Sequence, residues 1–466
     1  MILQKTADAG LLRHVGIFSA TALVISNMVG TGIFAATGFL AGDLGSPKLI
    51  LWIWLIGAVC ALTGAFCYSE LGVNFPNSGG EYVYLTHAFG PAWGFMTGWV
   101  SLFAGFSAPI AAAALAFSDY LGYFFPVLRE EHALFTSGSG DWTFRFGGAQ
   151  LAACALVGIF TVLNFFGVRR IARIQNALTG AKMLTLIAFI GAAFLFGNGN
   201  WNNLSMPTAR WTSTSLPSQF AISLFWIYLA YSGWNAATYI AEELKEPSRT
   251  LPLALFFGTV IVAALYLALN VVFMYAAPIE LIKQQAMRGN VAVGALAASH
   301  LFGNRIAGVF SGLMALSLIS TVNAMLTIGP RVYYAMAKNK AFFAASGKVN
   351  ERWRTPVNAV LWQGVCAGVM TFTPFPVLVT YIGFLLNFFA VLAVVSLLIF
   401  RPRPDWQKLR VVSFAFPLIP AVFLIVGSWM TIQGMRLKPL ISVCAIATVA
   451  AGALIYRYRI HPNPIS

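Results

Sequence analysis

ISNMVGTGIFAATG, from Ile25 to Gly38, holds Gly30, Thr31 and Gly32 in the middle of an otherwise apolar run. Crossing about 30 Å of hydrocarbon as a helix takes about 20 apolar residues, and the run around this stretch is long enough. Glycine is the weakest ordinary helix former. Inside lipid no water satisfies backbone groups released by a break, so an interruption is tolerated only where it lines a cavity within the protein. A second stretch, SLFWIYLAYSGWNAATYIAEE from Ser223 to Glu243, carries Ser232 and Gly233 at its centre. Each alone reads equally well as a small-residue site for close helix packing. Their spacing favours the break: the two runs are the first and sixth of twelve, equivalent places in two five-helix repeats, and paired interruptions mark a binding site near the membrane midplane.

Such a pair suits one kind of solute. A half-helix beginning mid-membrane presents free N–H groups and roughly +0.5 charge, which suits a carboxylate. The half-helix ending before it leaves free carbonyls, which suit an ammonium group. An amino-acid zwitterion has both.

The rest of the chain agrees with a membrane protein. Of 466 residues, 59% are hydrophobic and 9% charged, against roughly 25% charged in a soluble domain. A soluble enzyme, a nucleic-acid-binding module and a disordered scaffold are excluded on that ground. The net charge of +15 resides in short basic clusters between apolar runs, where cytoplasmic loops carry them, so no nucleic-acid partner is implied. Spans 1 to 12 are expected near 15–40, 48–73, 92–118, 149–167, 174–196, 219–243, 252–277, 306–337, 357–373, 376–400, 411–432 and 438–458. Around Thr373–Pro376 one kinked span could replace two. With the N-terminus inside, cytoplasmic segments hold 19 of the 29 Lys and Arg residues, among them Lys5, Arg13, Arg169, Arg170, Arg331 and Arg354. Both termini are therefore expected to be cytoplasmic. The opening MILQKTADAG lacks the tripartite pattern of a cleavable signal, so span 1 is expected to be retained.

Lys182, in NALTGAKMLTLIAF of span 5, lies nine positions beyond Arg173, about 13 Å deep at 1.5 Å per residue. A lysine near the bilayer centre costs roughly 2.5–3.5 kcal/mol and implies a partner or a task. Glu70, Glu242 and Glu243 read as solvated helix ends, with a proton-coupling role for Glu70 or Glu243 left open. The five histidines have no ligand spacing, and the five cysteines, each within an apolar run, read as small buried hydrophobes. No metal site, disulfide or cofactor is implied, and no Gly-x-x-x-x-Gly-Lys-Ser/Thr loop supports ATP-driven pumping.

GTGIF in span 1, SELGVNFPNSGGEYVYL, AFGPAWGFMTGW and YSGWNAATYIAEELKEPSRTLP, in this order, resemble the amino acid–polyamine–organocation transporters, and most of all their L-type amino acid transporter branch. The resemblance implies an all-α membrane protein with twelve transmembrane helices. It further implies a 5+5 inverted repeat with helices 1 and 6 interrupted: a first repeat at 15–196, a second at 219–400 and two additional helices at 411–458. Carried over, Gly30, Thr31 and Gly32 form a carboxylate cradle, and the carbonyls of Met28 and Leu229 take the ammonium. Tyr231, Ser232, Gly233, Trp234 and Asn235 shape the side-chain pocket. Leu229 stands where relatives usually have an aromatic residue, and Ser232-Gly233 where they have Gly-Gly, which puts an aromatic gate in doubt. Lys182 occupies the place of a sodium ion in sodium-coupled relatives, its ammonium meeting span 1 near Gly30 and span 8. Glu81 falls in a loop resembling the family's cytoplasmic gate.

The reading is a sodium-independent amino acid transporter of the cell membrane, for small neutral substrates, acting by exchange or facilitation. A proton-coupled symporter for amino acids or amines is the alternative of the same fold. An intramembrane enzyme or a channel lacks the residue constellations each would need. Some relatives join a glycoprotein through a cysteine between spans 3 and 4. Asp119 to Gly148 holds no cysteine, so no disulfide-linked ancillary subunit is expected.

Overall fold

Apolar runs of this length leave the backbone one solution in lipid, the helix, and the chain takes it almost throughout. The computed structural model describes residues 15–460 except 77–78, 139–142, 167, 289–291, 351 and 354, and only the backbone of 168–177. Lys5, Arg13, Arg354, His14 and His461 lie outside the described residues. Among those described, nine helices are long and apolar enough to cross a membrane: Pro47–Asn74, Pro91–Leu121, Gly148–Phe165, Leu178–Phe196, Pro247–Ala276, Asn304–Lys338, Phe375–Phe400, Leu418–Leu437 and Pro439–Ile460. A tenth is the pair Ile17–Met28 and Thr31–Leu44, bent by 41°. Several begin on proline, whose missing N–H costs nothing in a first turn.

Two expected spans fall short of a full crossing, each for a local reason. Span 6 runs as Leu216–Tyr231 and stops at Ser232; a 3-10 segment, Ala236–Glu243, follows. Span 9 is the short helix Val357–Met370, and the boundary expected around Thr373–Pro376 is a turn closed by Thr373 N–H on the Met370 carbonyl before Phe375–Phe400 begins.

Small residues set how closely the helices approach. Gly57 of span 2 lies against Ile227, Gly258 of span 7 against Val24, and Gly383 of span 10 against Phe225. Span 2 packs along span 7, span 3 along span 8, span 4 along span 9, and the second half of span 1 along span 6. Outer faces carry large exposed apolar residues at helical spacing, such as Leu151, Ile159 and Val162 on span 4 or Leu440 and Val443 on span 12. A soluble protein does not expose such stripes. Cys444 sits on that outer face of span 12 and is exposed, unlike the buried Cys67; it lies at the periphery of the bundle, where apolar means lipid-facing.

Glu70 departs from its expected place at a solvated helix end. It is fully buried; Arg401 Nε and Trp406 Nε1 donate to Oε1, both at 2.9 Å, and the Leu409 N–H donates to Oε2 at 3.0 Å. The connector after span 10 folds back over the end of span 2 and replaces the water that a terminal carboxylate would otherwise hold. Glu242 and Glu243 are half-buried.

Candidate functional site: two interlocked breaks

The first helix ends when the Val29 N–H closes on the Ile25 carbonyl at 3.0 Å and Val29 turns extended. Gly30, also extended, carries the chain to a new start at Thr31. A helix starting there leaves its first-turn amides, Thr31, Gly32 and Ile33, without an acceptor inside the helix. In span 6, Ser232 leaves the helical region at φ −56, ψ 142, and Gly233 has φ +98, the left-handed region that favours glycine.

The two breaks rest on each other. A Cβ on Gly32 would overlap the Ala230 backbone, and one on Gly233 would lie 2.9 Å from the Asn27 carbonyl carbon and oxygen. Each span's glycine thus admits the other span's main chain. Tyr266 of span 7 joins them again: its hydroxyl lies 2.7 Å from the Met28 carbonyl and 2.9 Å from the Ala230 carbonyl.

The carbonyls expected to await an ammonium are thus engaged already. Met28 faces Tyr266, and the Leu229 carbonyl accepts from the Ser232 N–H at 3.2 Å and hydroxyl at 2.7 Å. A carbonyl has two lone pairs, so one remains on Met28, whereas Leu229 already accepts twice.

The five pocket residues divide. Ser232 and Gly233 are half-buried beside Asn27. Tyr231 is buried with its hydroxyl 3.2 Å from the Trp54 carbonyl, facing spans 2 and 7. Trp234 stands edge-on to Tyr68 at 4.7 Å and near Phe423 at 6.2 Å, facing spans 2 and 11. Asn235 donates to Glu81 at 2.5 Å. Span 6 unwinds at this point, so consecutive side chains no longer share one helical face. Residues not singled out in the sequence take up the space: Asn27, Tyr266 and Thr321, whose methyl is 3.6 Å from where a Gly30 Cβ would sit. The polar cluster STVN at 320–323, inside an apolar span, is the signal that could have found Thr321.

Lys182 is buried, and its ammonium donates to the Val29 carbonyl at 2.5 Å. A side-chain link runs through Thr179, one turn earlier in span 5, whose hydroxyl lies 3.2 Å from Ser26 of span 1 and 3.5 Å from Ser320 of span 8.

The two halves of span 1 differ in access. All of Thr31–Leu44 is buried. Phe39 stacks on Trp226 at 4.2 Å with ring planes 9° apart, Phe375 follows at 6.2 Å, and Asp43 accepts from Trp211 at 2.8 Å and Ser223 at 3.0 Å. Before the break, Ser26, Asn27 and Gly30 are half-buried and Phe18 is exposed. The second half of span 1 is thus enclosed by its neighbours, while the residues just before the break keep part of their surface uncovered.

A multi-pass helical membrane protein with interlocked breaks in two spans is the class that fold and site define. The chain belongs to the amino acid permease family, whose sequence profile matches residues 15–451. It is 28% identical to the large neutral amino acids transporter small subunit 2 of Rattus norvegicus, over 96% of this chain and 80% of the relative. It is also 28% identical to the Asc-type amino acid transporter 1 of Mus musculus, over 96% and 81%, and to the b(0,+)-type amino acid transporter 1 of the same organism, over 88% and 80%. The family is one of transporters and not of enzymes.

Proposed function

We propose that this chain carries amino acids across the cell membrane by alternating access, with the two broken spans as the substrate site. The interlock of Gly32 on Ala230 and Gly233 on Asn27 carries the reading, because it brings a helix start and two helix ends to one half-buried point. The substrate carboxylate lies over Gly30, Thr31 and Gly32. Its ammonium faces the Met28 and Leu229 carbonyls, sharing the former with Tyr266 and displacing a Ser232 donor from the latter. Ser232, Gly233 and Leu229 border the side chain; Tyr231, Trp234 and Asn235 hold that segment to its neighbours. The relatives' names support an amino acid as substrate. Small neutral side chains fit best, on the crowding by Thr31, Ser232 and Thr321.

The pairwise packing of spans 2 with 7, 3 with 8 and 4 with 9 supports two inverted repeats, 15–196 and 219–400, followed by two helices at 411–458, twelve crossings in all. The basic clusters favour cytoplasmic termini, and the less covered, N-terminal side of the break is read as the cytoplasmic opening. Lys182 supplies a fixed positive charge at the end of the first half-helix, and transport therefore needs no sodium. We propose no disulfide-linked subunit, since 119–148 holds no cysteine, although the rat relative is by its name a small subunit.

Uptake of a labelled amino-acid panel into proteoliposomes tests all of this. The expected result is uptake of small neutral amino acids that is unchanged when sodium is replaced by potassium. Uptake that collapses without sodium overturns the reading of Lys182, and uptake of none of the panel overturns the function.

A further inference from the structure

Span 6 resumes after its break at Asn235, and that turn is held from outside the span. Glu81, first residue of the short helix Glu81–Phe89 between spans 2 and 3, accepts from Asn235 Nδ2 at 2.5 Å on one carboxylate oxygen. The Tyr239 hydroxyl donates to its other oxygen at 2.7 Å, and Asn235 also lies 3.2 Å from that hydroxyl. Both carboxylate oxygens of one side chain thus accept from the turn that follows Ser232 and Gly233. Gly80, just before it, has φ +54 and sits against the Tyr239 ring, which brings the helix start close to span 6.

The surroundings of this carboxylate are unusual in charge. Tyr68 of span 2, Tyr84 of its own helix, Tyr228 of the first half of span 6 and Tyr239 of the second all face it. Among the described residues no lysine or arginine pairs with it. Arg401, at the end of the neighbouring span 10, is taken by Glu70, and His87 on its own helix lies against Phe75 and the Val83 carbonyl. The start of span 3, Pro91–Val100, has no charged residue. A carboxylate enclosed by phenol rings and lacking a cation gives up its charge more readily than an exposed one, and burial accordingly raises the Glu81 pKa above its ordinary value.

We propose that Glu81 is a positioning residue whose ionised carboxylate clasps the second half of span 6, and that taking up a proton loosens this clasp and weakens substrate binding from the N-terminal side. Protonation leaves the carboxyl neutral, so the bonds from Asn235 and Tyr239 lose their charge assistance and the oxygen that takes the proton becomes the poorer acceptor. The turn beside Ser232 and Gly233 is then free to shift, while the groups that touch substrate stay the same. The inference goes beyond amino acid transport itself but is read out through it.

Uptake kinetics from the N-terminal side, from about pH 8 down to about pH 5, provide the test. KM of the wild type rises about tenfold toward acid, as expected when bonds to a charged group become bonds to a neutral one. Glu81→Gln shows the raised KM at every pH, with kcat little changed. Tyr239→Phe removes a donor that favours the charged form, so its rise begins at higher pH. A wild-type KM that is flat over this range, or a Glu81→Gln profile that titrates like the wild type, overturns the proposal. One further measurement needs no transport: at fixed neutral pH, a water-soluble maleimide labels Ser232→Cys, above the native cysteines, several-fold faster when combined with Glu81→Gln. Equal labelling rates overturn the clasp even if the chain proved to carry some other solute.

Discussion

Three glycines at the breaks are alike in sequence and unlike in surroundings. A Cβ on Gly30 meets only the Thr321 methyl at 3.6 Å, an ordinary contact. On Gly32 it collides with the main chain of Ala230, and on Gly233 it meets Asn27 in a left-handed backbone. Gly30→Ala is therefore expected to insert, fold and still transport. Gly32→Ala forces two spans apart at a cost of about 1–3 kcal/mol. Gly233→Ala combines a clash with about 1–2 kcal/mol of backbone strain. Both should lose uptake and broaden in size-exclusion chromatography in detergent; a Gly32→Ala protein with wild-type uptake would remove the interlock. The sequence revealed where the chain breaks, because Gly30, Thr31 and Gly32 stand out in an apolar run. It could not reveal which glycine is pressed against what, since Ala230 and Asn27 come from the other span. Lys182 was the more legible residue: its depth demanded a partner, and the Val29 carbonyl stands next to the Gly30 position expected of it.

Among the elements, the connector after span 10 and the end of span 2 are held by a buried ion pair. Glu70 is 0% and Arg401 7% exposed, and their positions are 331 residues apart in the chain. Arg401 also donates to Ser413 at 2.7 Å and covers the Phe416 ring at 3.9 Å. Removing one partner of such a pair strands a charge, at about 3–5 kcal/mol. Arg401→Met should thus lower the thermal unfolding midpoint of the purified protein clearly. Glu70→Gln made in the same chain should restore most of the loss, because the stranded charge is then gone. A double variant no more stable than Arg401→Met would show that the guanidinium contributes through packing alone. No local pattern announces this pair: Glu70 ends an apolar run as many solvated glutamates do, and only the return of a distant connector buries it. Spans 6 and 9 were legible as apolar runs, but the short helices they form follow from Ser232 and from the turn Thr371-Phe372-Thr373-Pro374, whose polar residues and proline interrupt the run.

In the whole molecule the breaks matter only if the two ends of the site open in turn. Here the far end is closed by Phe39, Trp226 and Phe375, one ring from each of spans 1, 6 and 10, while residues before the break are only half-buried. Stacked aromatic pairs contribute about 0.5–1.5 kcal/mol beyond the area they bury. A two-state equilibrium shifts by whatever free energy one state loses and the other does not. Phe39→Ala removes the ring stacked on both Trp226 and Phe375 in the far-closed state, so it should raise the far-open population by about 3–10-fold. In vesicles of known sidedness, an impermeant thiol reagent added on the far side should label Ser232→Cys faster by that factor in the Phe39→Ala background. Labelling from the N-terminal side should not increase. If the far-side rate stayed the same, the rings would be packing and not a gate, and closure would have to be sought in Asp43 with Trp211 and Ser223, the next layer outward.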